Sequence, residues 1–318
     1  MRTRPFFFIA ILLFLASCQT PEPTQYILNE IDLVPEGIAY SKNNKAFYLT
    51  SIAKSKIIVV DEKSGNQYDF IAEKEFGFTP GCGIWVDDSM NRLYAVGGYY
   101  TSSRATTFLY SFNLRTRQLL KKYEIADTGD HFLNDMVVDN KSNIYLTDTK
   151  ASAIYLLKSG SDSLQQFFVS EEIKYPNGIA ISDDFTKLYI ASHTQGVRVM
   201  DISTKTLLNE RDTTLISKGI DGLEFYKGNL YGIQNAVRAN GHSFRRLLLN
   251  STQDQITGME IIDSNNPMLD VPLTFCIAGK KAVVIGNSNL QFLNQDKLEF
   301  TLTDSTKNTH LLVYELND

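Results

Sequence analysis

The sequence predicts an all-β, six-bladed β-propeller, and three observations lead there. Runs rich in Val, Ile, Tyr and Phe recur between turn residues, and no long stretch keeps a helical period. A short motif, a polar residue followed by Gly or Asp and then alternating apolar residues, repeats as EGIAYS at 36, CGIWVDD at 82, NDMVVD at 134, NGIAISDD at 177 and DGLEFY at 221. Each copy is followed by a strand centred on tyrosine: Tyr48, Tyr94, Tyr145, Tyr189 and Tyr231. The tyrosines are spaced by 46, 51, 44 and 42 residues, and a further 52 reaches Val283. Repeats of about 40 to 50 residues, each with several strands, mark a propeller rather than a sandwich.

Each blade can be assigned in order. The motifs supply the innermost strands and the tyrosine runs the second strands, with LTFCIAG at 273 and KAVVIG at 281 forming a weaker sixth pair. Third strands read KIIVVD at 56, TFLYSFN at 107, AIYLLK at 153, GVRVMD at 196, SFRRLLL at 243 and HLLVYEL at 310. Fourth strands read QYDFIAE at 67, LLKKYEI at 119, LQQFFVS at 164, TLLNE at 206 and GMEII at 258. The sixth unit lacks a fourth strand, which QYILNEIDL at 25–33 can supply, closing the ring and leaving no long unpaired edge. Residues 25–318 are therefore expected to form a single domain.

The first residues have a different purpose. Arg2 and Arg4 precede an apolar run, Phe6 to Phe14, and then Leu15-Ala16-Ser17-Cys18. That order is a secretory signal, and the run is shorter than the roughly 20 residues of a membrane span. The tetrapeptide resembles the bacterial lipobox. Residues 1–17 thus read as a lipoprotein signal peptide, Cys18 as the lipidated residue, and 18–24, with Pro21 and Pro23, as an extended tether. The expected location is the bacterial cell envelope, with the membrane reached through the lipid anchor only. The formal charge is −5, two units more negative without Arg2 and Arg4, and no block of like charge suggests a nucleic-acid partner. Cys82 and Cys276 fall in non-adjacent blades and are expected to be buried free thiols.

In a propeller, the residue opening each innermost strand faces the central axis. That position reads Glu36, Cys82, Asn134, Asn177 and Asp221, with Leu273 or Thr274 in the sixth unit. Two carboxylates and two amide oxygens converge from four blades, a hard donor set suited to calcium, with manganese, magnesium or zinc as alternatives. A cation would also relieve the repulsion between the acids. Turn chemistry explains any one Asn-Gly or Asp-Gly pair, but not four oxygen donors at one repeat position.

On these motifs the chain resembles the senescence marker protein/gluconolactonase family and its paraoxonase relatives, most closely through PNGIAISDDFTKLYIAS at 176–192. The resemblance implies that Glu36, Asn177 and Asp221 hold a metal directly, with Asn134 a ligand or a substrate contact beside it. It also implies hydrolysis of a lactone or ester. Phe132 stands where gluconolactonase-like members carry an arginine, Cys82 where paraoxonases carry a histidine, and Gly222 where paraoxonases carry a further ligand asparagine. The substrate preference of neither branch therefore transfers.

For catalysis, the candidates are Asp221 as a base on the metal, and His131 and His193 in loops expected at the axial face. Substrate contacts are expected from the loops joining second to third strands, the longest of which read as 97–106 and 233–243, through Tyr99, Tyr100, Arg104, Asn235 and Arg238. The competing expectation is a non-catalytic binding propeller that keeps calcium for rigidity.

Overall fold

The computed structural model describes residues 24–100, 105–235, 241–264 and 266–316. The chain is a six-bladed β-propeller. Blade 1 comprises Pro35–Ser41, Ala46–Ser51, Ile57–Asp61 and Gln67–Ile71, paired antiparallel in that order. Blade 2 runs Gly81–Asp87, Arg92–Tyr100, Ala105–Asn113 and Leu119–Glu124, and blade 3 runs Leu133–Val138, Ile144–Asp148, Ala153–Leu157 and Gln165–Val169. Blade 4 has three strands, Pro176–Ile181, Lys187–Ser192 and Gly196–Asp201. Blade 5 runs Ile220–Tyr226, Asn229–Gln234, Ser243–Leu249 and Ile256–Ser264. Blade 6 joins Phe275–Ala278, Lys281–Ile285 and His310–Glu315 to Gln25–Ile27, so the two ends of the described chain share one sheet.

The repeat seen in the sequence is a repeat of register. Tyr48, Tyr94, Tyr145, Tyr189 and Tyr231 lie opposite Ala39, Trp85, Val137, Ala180 and Glu224 of their own inner strands, and Val283 lies opposite Cys276. All five tyrosines are buried. Six apolar clusters fill the gaps between successive blades, the third holding blades 6 and 1 together through Tyr26, Phe47, Ile58, Val283 and Leu311. Burial between blades, rather than one central core, holds the ring together. Among the described residues no helix is long and apolar enough to cross a membrane.

The inner strands share one irregularity that aims the site. In blades 1 to 5 the pairing with the second strand shifts at Glu36-Gly37, Cys82-Gly83, Asn134-Asp135, Asn177-Gly178 and Asp221-Gly222. A bulge of this kind bends the strand and re-aims the side chains at the extra residue. Glycine follows the axial residue in four blades because the next blade approaches there: a Cβ on Gly37 would collide with the Cys82 carbonyl, and one on Gly178 with the Asp221 carbonyl. Threonines clasp two of these junctions. Thr50 accepts from Gly37 N (2.9 Å) and donates to Cys82 O (2.5 Å); Thr147 accepts from Asp135 N (3.0 Å) and donates to Asn177 O (2.6 Å).

Two sequence expectations need correction. TLLNE at 206 is not a fourth strand, because the Asn209 side chain takes over the edge of Gly196–Asp201. Its Oδ1 accepts from Val199 N and its Nδ2 donates to Val197 O, leaving only a single bridge between Met200 and Leu207. Nor are 97–106 and 233–243 the longest connections between second and third strands. The segment 286–309 is longer and carries its own small hairpin, Leu293–Asn294 with Glu299–Phe300. Asn289 ties it down by donating to Ile31 O and Lys307 O.

Candidate active site on the propeller axis

The bulged openings of the inner strands meet in a narrow channel. Glu36, Asn134, Asn177 and Asp221 all line it, joined by Asp135, Glu224, Trp85 and Thr274. The water-accessible space among them is only about 20 Å3, room for a water-sized occupant and not for an organic substrate. Thr274 fills the sixth position, against Gly222. Among the described residues no lysine or arginine lines the channel.

The electrostatics follow from packing four acids into that space. Glu36 is driven well above the usual carboxylate range by burial, then by Asp221 and Asp135. Asp221 is raised to about 7 by burial, against the lowering influence of hydrogen bonds from Asn235 and Asn177. Asp135 is raised to about 7, chiefly by burial and with a contribution from Asp221, although it accepts from Met136 N and Ile179 N. Glu224 is raised to about 8 by burial and then by Asp135. Cys82 is a buried free thiol pushed up by burial and by Glu36, Asp221 and Asp135. Cys276, also free, is pushed up by burial and by Glu224.

Asp135 and Glu224 were not singled out from the sequence, although a signal existed for both. Asp135 occupies the bulge position that is glycine in blades 1, 2, 4 and 5. Glu224 is the one acid in the register column Ala39, Trp85, Val137, Ala180, Glu224, Cys276.

The donor set fits a hard divalent cation. Buried carboxylates without a facing positive charge are unfavourable, and a cation removes that cost. Among the described residues no three His, Cys, Asp or Glu side chains form a metal-holding group by themselves. The amide oxygens of Asn134 and Asn177 would therefore have to complete a shell with Glu36 and Asp221. Asn134 Nδ2 already donates to Thr149 Oγ1 (3.1 Å), which leaves its oxygen as the free end. Asn235, expected to touch substrate, instead holds Asp221: its Nδ2 donates to Asp221 Oδ2 (2.5 Å) and to Pro272 O (2.7 Å).

The histidines sit elsewhere. Neither His131 nor His193 lines the channel. His131 Nδ1 is 2.7 Å from Asp148 Oδ2 and its Nε2 is 2.6 Å from Asp127 Oδ1, so both ring nitrogens are occupied. Asp148 is fully buried and also accepts from Phe132 N, Lys150 N and Ala151 N. Burial lowers the His131 pKa, but the bonds to Asp127 and Asp148 outweigh it and the net shift is upward. His131 thus locks the turn that leads to Asn134, a geometry that leaves it no free nitrogen for a base. His193 is exposed, with its backbone N donating to Tyr175 O. Tyr99 and Tyr100 are exposed at the end of Arg92–Tyr100, and Tyr100 packs on Phe132 (5.1 Å between centroids). Arg104, Arg238 and Cys18, with the 1–17 signal, lie outside the described residues.

A propeller with carboxylates and amides at the start of its inner strands defines the class of protein. The SMP-30/gluconolactonase/LRE-like region model matches residues 34–225, and the chain belongs to that family. No curated protein matches it significantly in sequence. Among solved structures it is similar to a luciferin-regenerating enzyme (15% identity, 88% of this chain and 91% of that one, TM-score 0.61). It is also similar to a gluconolactonase from Xanthomonas campestris (16%, 80% and 83%, 0.59) and to virginiamycin B lyase from Staphylococcus aureus (13%, 82% and 80%, 0.59). At these identities the likeness concerns the fold alone.

Proposed function

We propose that the protein is a calcium-dependent hydrolase of a lactone or ester, carried on the cell envelope by a lipid on Cys18. The observation that carries this reading is the convergence of Glu36, Asn134, Asn177 and Asp221 on one channel, whose acids meet no lysine or arginine among the described lining residues. Family membership and the similarity to a gluconolactonase support the reaction class. A bound divalent ion would polarise the carbonyl oxygen of a substrate seated at the mouth. The chain's own groups do the rest. Asn235 and Asn177 orient Asp221, which accepts the proton of the attacking water and returns it to the alkoxide oxygen released as the acyl carbon–oxygen bond breaks. Asn134, fixed through Thr149 Oγ1, would turn its amide oxygen to the cation.

Asp221→Asn tests this. The variant should fold, because Asn keeps the size of the side chain, and should lose turnover of a lactone and aryl-ester panel. Undiminished hydrolysis would remove Asp221 from the reaction. Anchoring is tested separately by palmitate labelling of the full chain, which should disappear in Cys18→Ser. A binding propeller with a structural calcium is the second reading, favoured by the absence of a histidine from the channel lining. It predicts no turnover of any ester and a loss of stability on chelation.

A further inference from the structure

The channel holds nothing larger than water, so the bulk of any substrate must rest outside it, near the segments that lead into the inner strands. The residue two places before each axial side chain is Val34, Pro80, Phe132, Tyr175 and Gly219 in blades 1 to 5. Three of these have left-handed backbone: Val34 (φ 49°), Tyr175 (φ 52°) and Gly219 (φ 63°). Glycine takes that conformation without strain, whereas a side chain makes it unfavourable. Val34 is fully buried, and its packing offsets the strain. Tyr175 has no such compensation. It is 45% exposed, with the neighbouring Lys174 ammonium 5.5 Å from its ring centroid. A large aromatic held in a strained conformation and left half in water contributes little to the fold.

Blade 3 carries an aromatic at the same repeat position. Phe132 occupies the corresponding place in the adjacent blade, two residues before Asn134, and is only partly buried. Tyr100 lies against Phe132, with Lys150 Nζ 4.7 Å from the Tyr100 ring centroid. Tyr99 and Tyr100 are each 42% exposed. Phe132 and Tyr175 thus lead into the strands that carry the two amide donors, Asn134 and Asn177, and Thr149 joins the two approaches: its N donates to Phe132 O and its Oγ1 to Pro176 O.

We propose that Tyr175, with Phe132 and Tyr100, forms an apolar subsite for the ring or alkyl substituent of the substrate, which makes the preferred substrate an aryl- or alkyl-substituted lactone or ester rather than a polyhydroxylated sugar lactone. This rests on the hydrolase reading above. Covering such a ring from water is favourable by an amount that corresponds to about a tenfold or greater preference.

The test compares Tyr175→Gly with the unaltered protein on γ-phenyl- and γ-methyl-γ-butyrolactone, together with the Tm of both. The ratio of kcat/KM for the phenyl over the methyl substrate should fall about tenfold, without a lower Tm, since glycine relieves the backbone. A structural role for the ring would instead lower the Tm and both rates together. An unchanged ratio would overturn the proposal. If the unaltered protein hydrolyses neither lactone, the hydrolase reading fails and the subsite is read by calorimetry with 5-phenyl- and 5-methylpyrrolidin-2-one. Tighter binding of the phenyl lactam that is lost in Tyr175→Gly sustains the subsite; equal binding of the two lactams overturns it.

Discussion

Removing metal from the channel should make stability fall steeply as pH rises. Asp135 and Asp221 are raised to about 7 and Glu224 to about 8, so in the metal-free fold they stay protonated at pH 5 to 6 while the unfolded chain ionises them. A carboxyl group with a raised folded pKa gives stability that is complete below its unfolded value, near 4, and is lost as pH climbs through the folded value. Each such acid changes stability by about 1.4 kcal/mol per pH unit, and three acting together by about 4 kcal/mol per unit. Two units at that slope approach the whole stability of a typical domain. Calcium should reverse this, because ionised acids are what it binds, and its stabilisation should grow with pH. The assay is urea unfolding of dialysed, metal-free protein beginning at Thr20, from pH 5 to 8, with and without calcium. Asp221→Asn and Glu224→Gln should each flatten the metal-free slope by about 1.4 kcal/mol per unit. A flat metal-free profile, or a slope that neither substitution changes, would refute the reasoning.

Other perturbations reach the site through its supports. Thr147→Val removes the bridge between Asp135 N and Asn177 O and should cost about 2 kcal/mol in chemical denaturation, with weaker calcium binding by calorimetry. Gly178→Ala drives a methyl group into the Asp221 carbonyl at the junction of blades 4 and 5; it should cost on the order of 3 kcal/mol and lower calcium affinity at least tenfold. His131 has a raised pKa, so its pairing with Asp127 and Asp148 stabilises the fold fully below pH 6.5 and less as pH rises through the raised value. His131→Gln should therefore cost about 2 kcal/mol at pH 6 and less at pH 9, measured by the same urea titration.

The fold was legible because strand pairing is periodic in sequence. The tyrosine spacing follows the blade period, and each tyrosine lies opposite the same position of its inner strand. The donors Glu36, Asn134, Asn177 and Asp221 were legible for the same reason, since one repeat position maps to one level of the axis. Where a side chain's partners come from outside the repeat, the sequence was silent. His131 finds its carboxylates 4 and 17 residues away across a loop and a strand. Asn235 reaches Asp221 across a strand pair, and Asn209 imitates a strand with its side chain. Asp135 was hidden by strict alternation: the bulge brings two consecutive residues to the channel where a regular strand would bring one.

The most direct test is hydrolysis of a lactone and aryl-ester panel by the soluble protein beginning at Thr20, first with calcium, then after chelation, then with calcium restored. The channel geometry predicts turnover that disappears with the metal, returns with it, and is absent throughout in Asp221→Asn. Turnover indifferent to chelation, or no turnover alongside tight calcium binding, would contradict a metal-dependent hydrolase at the propeller axis.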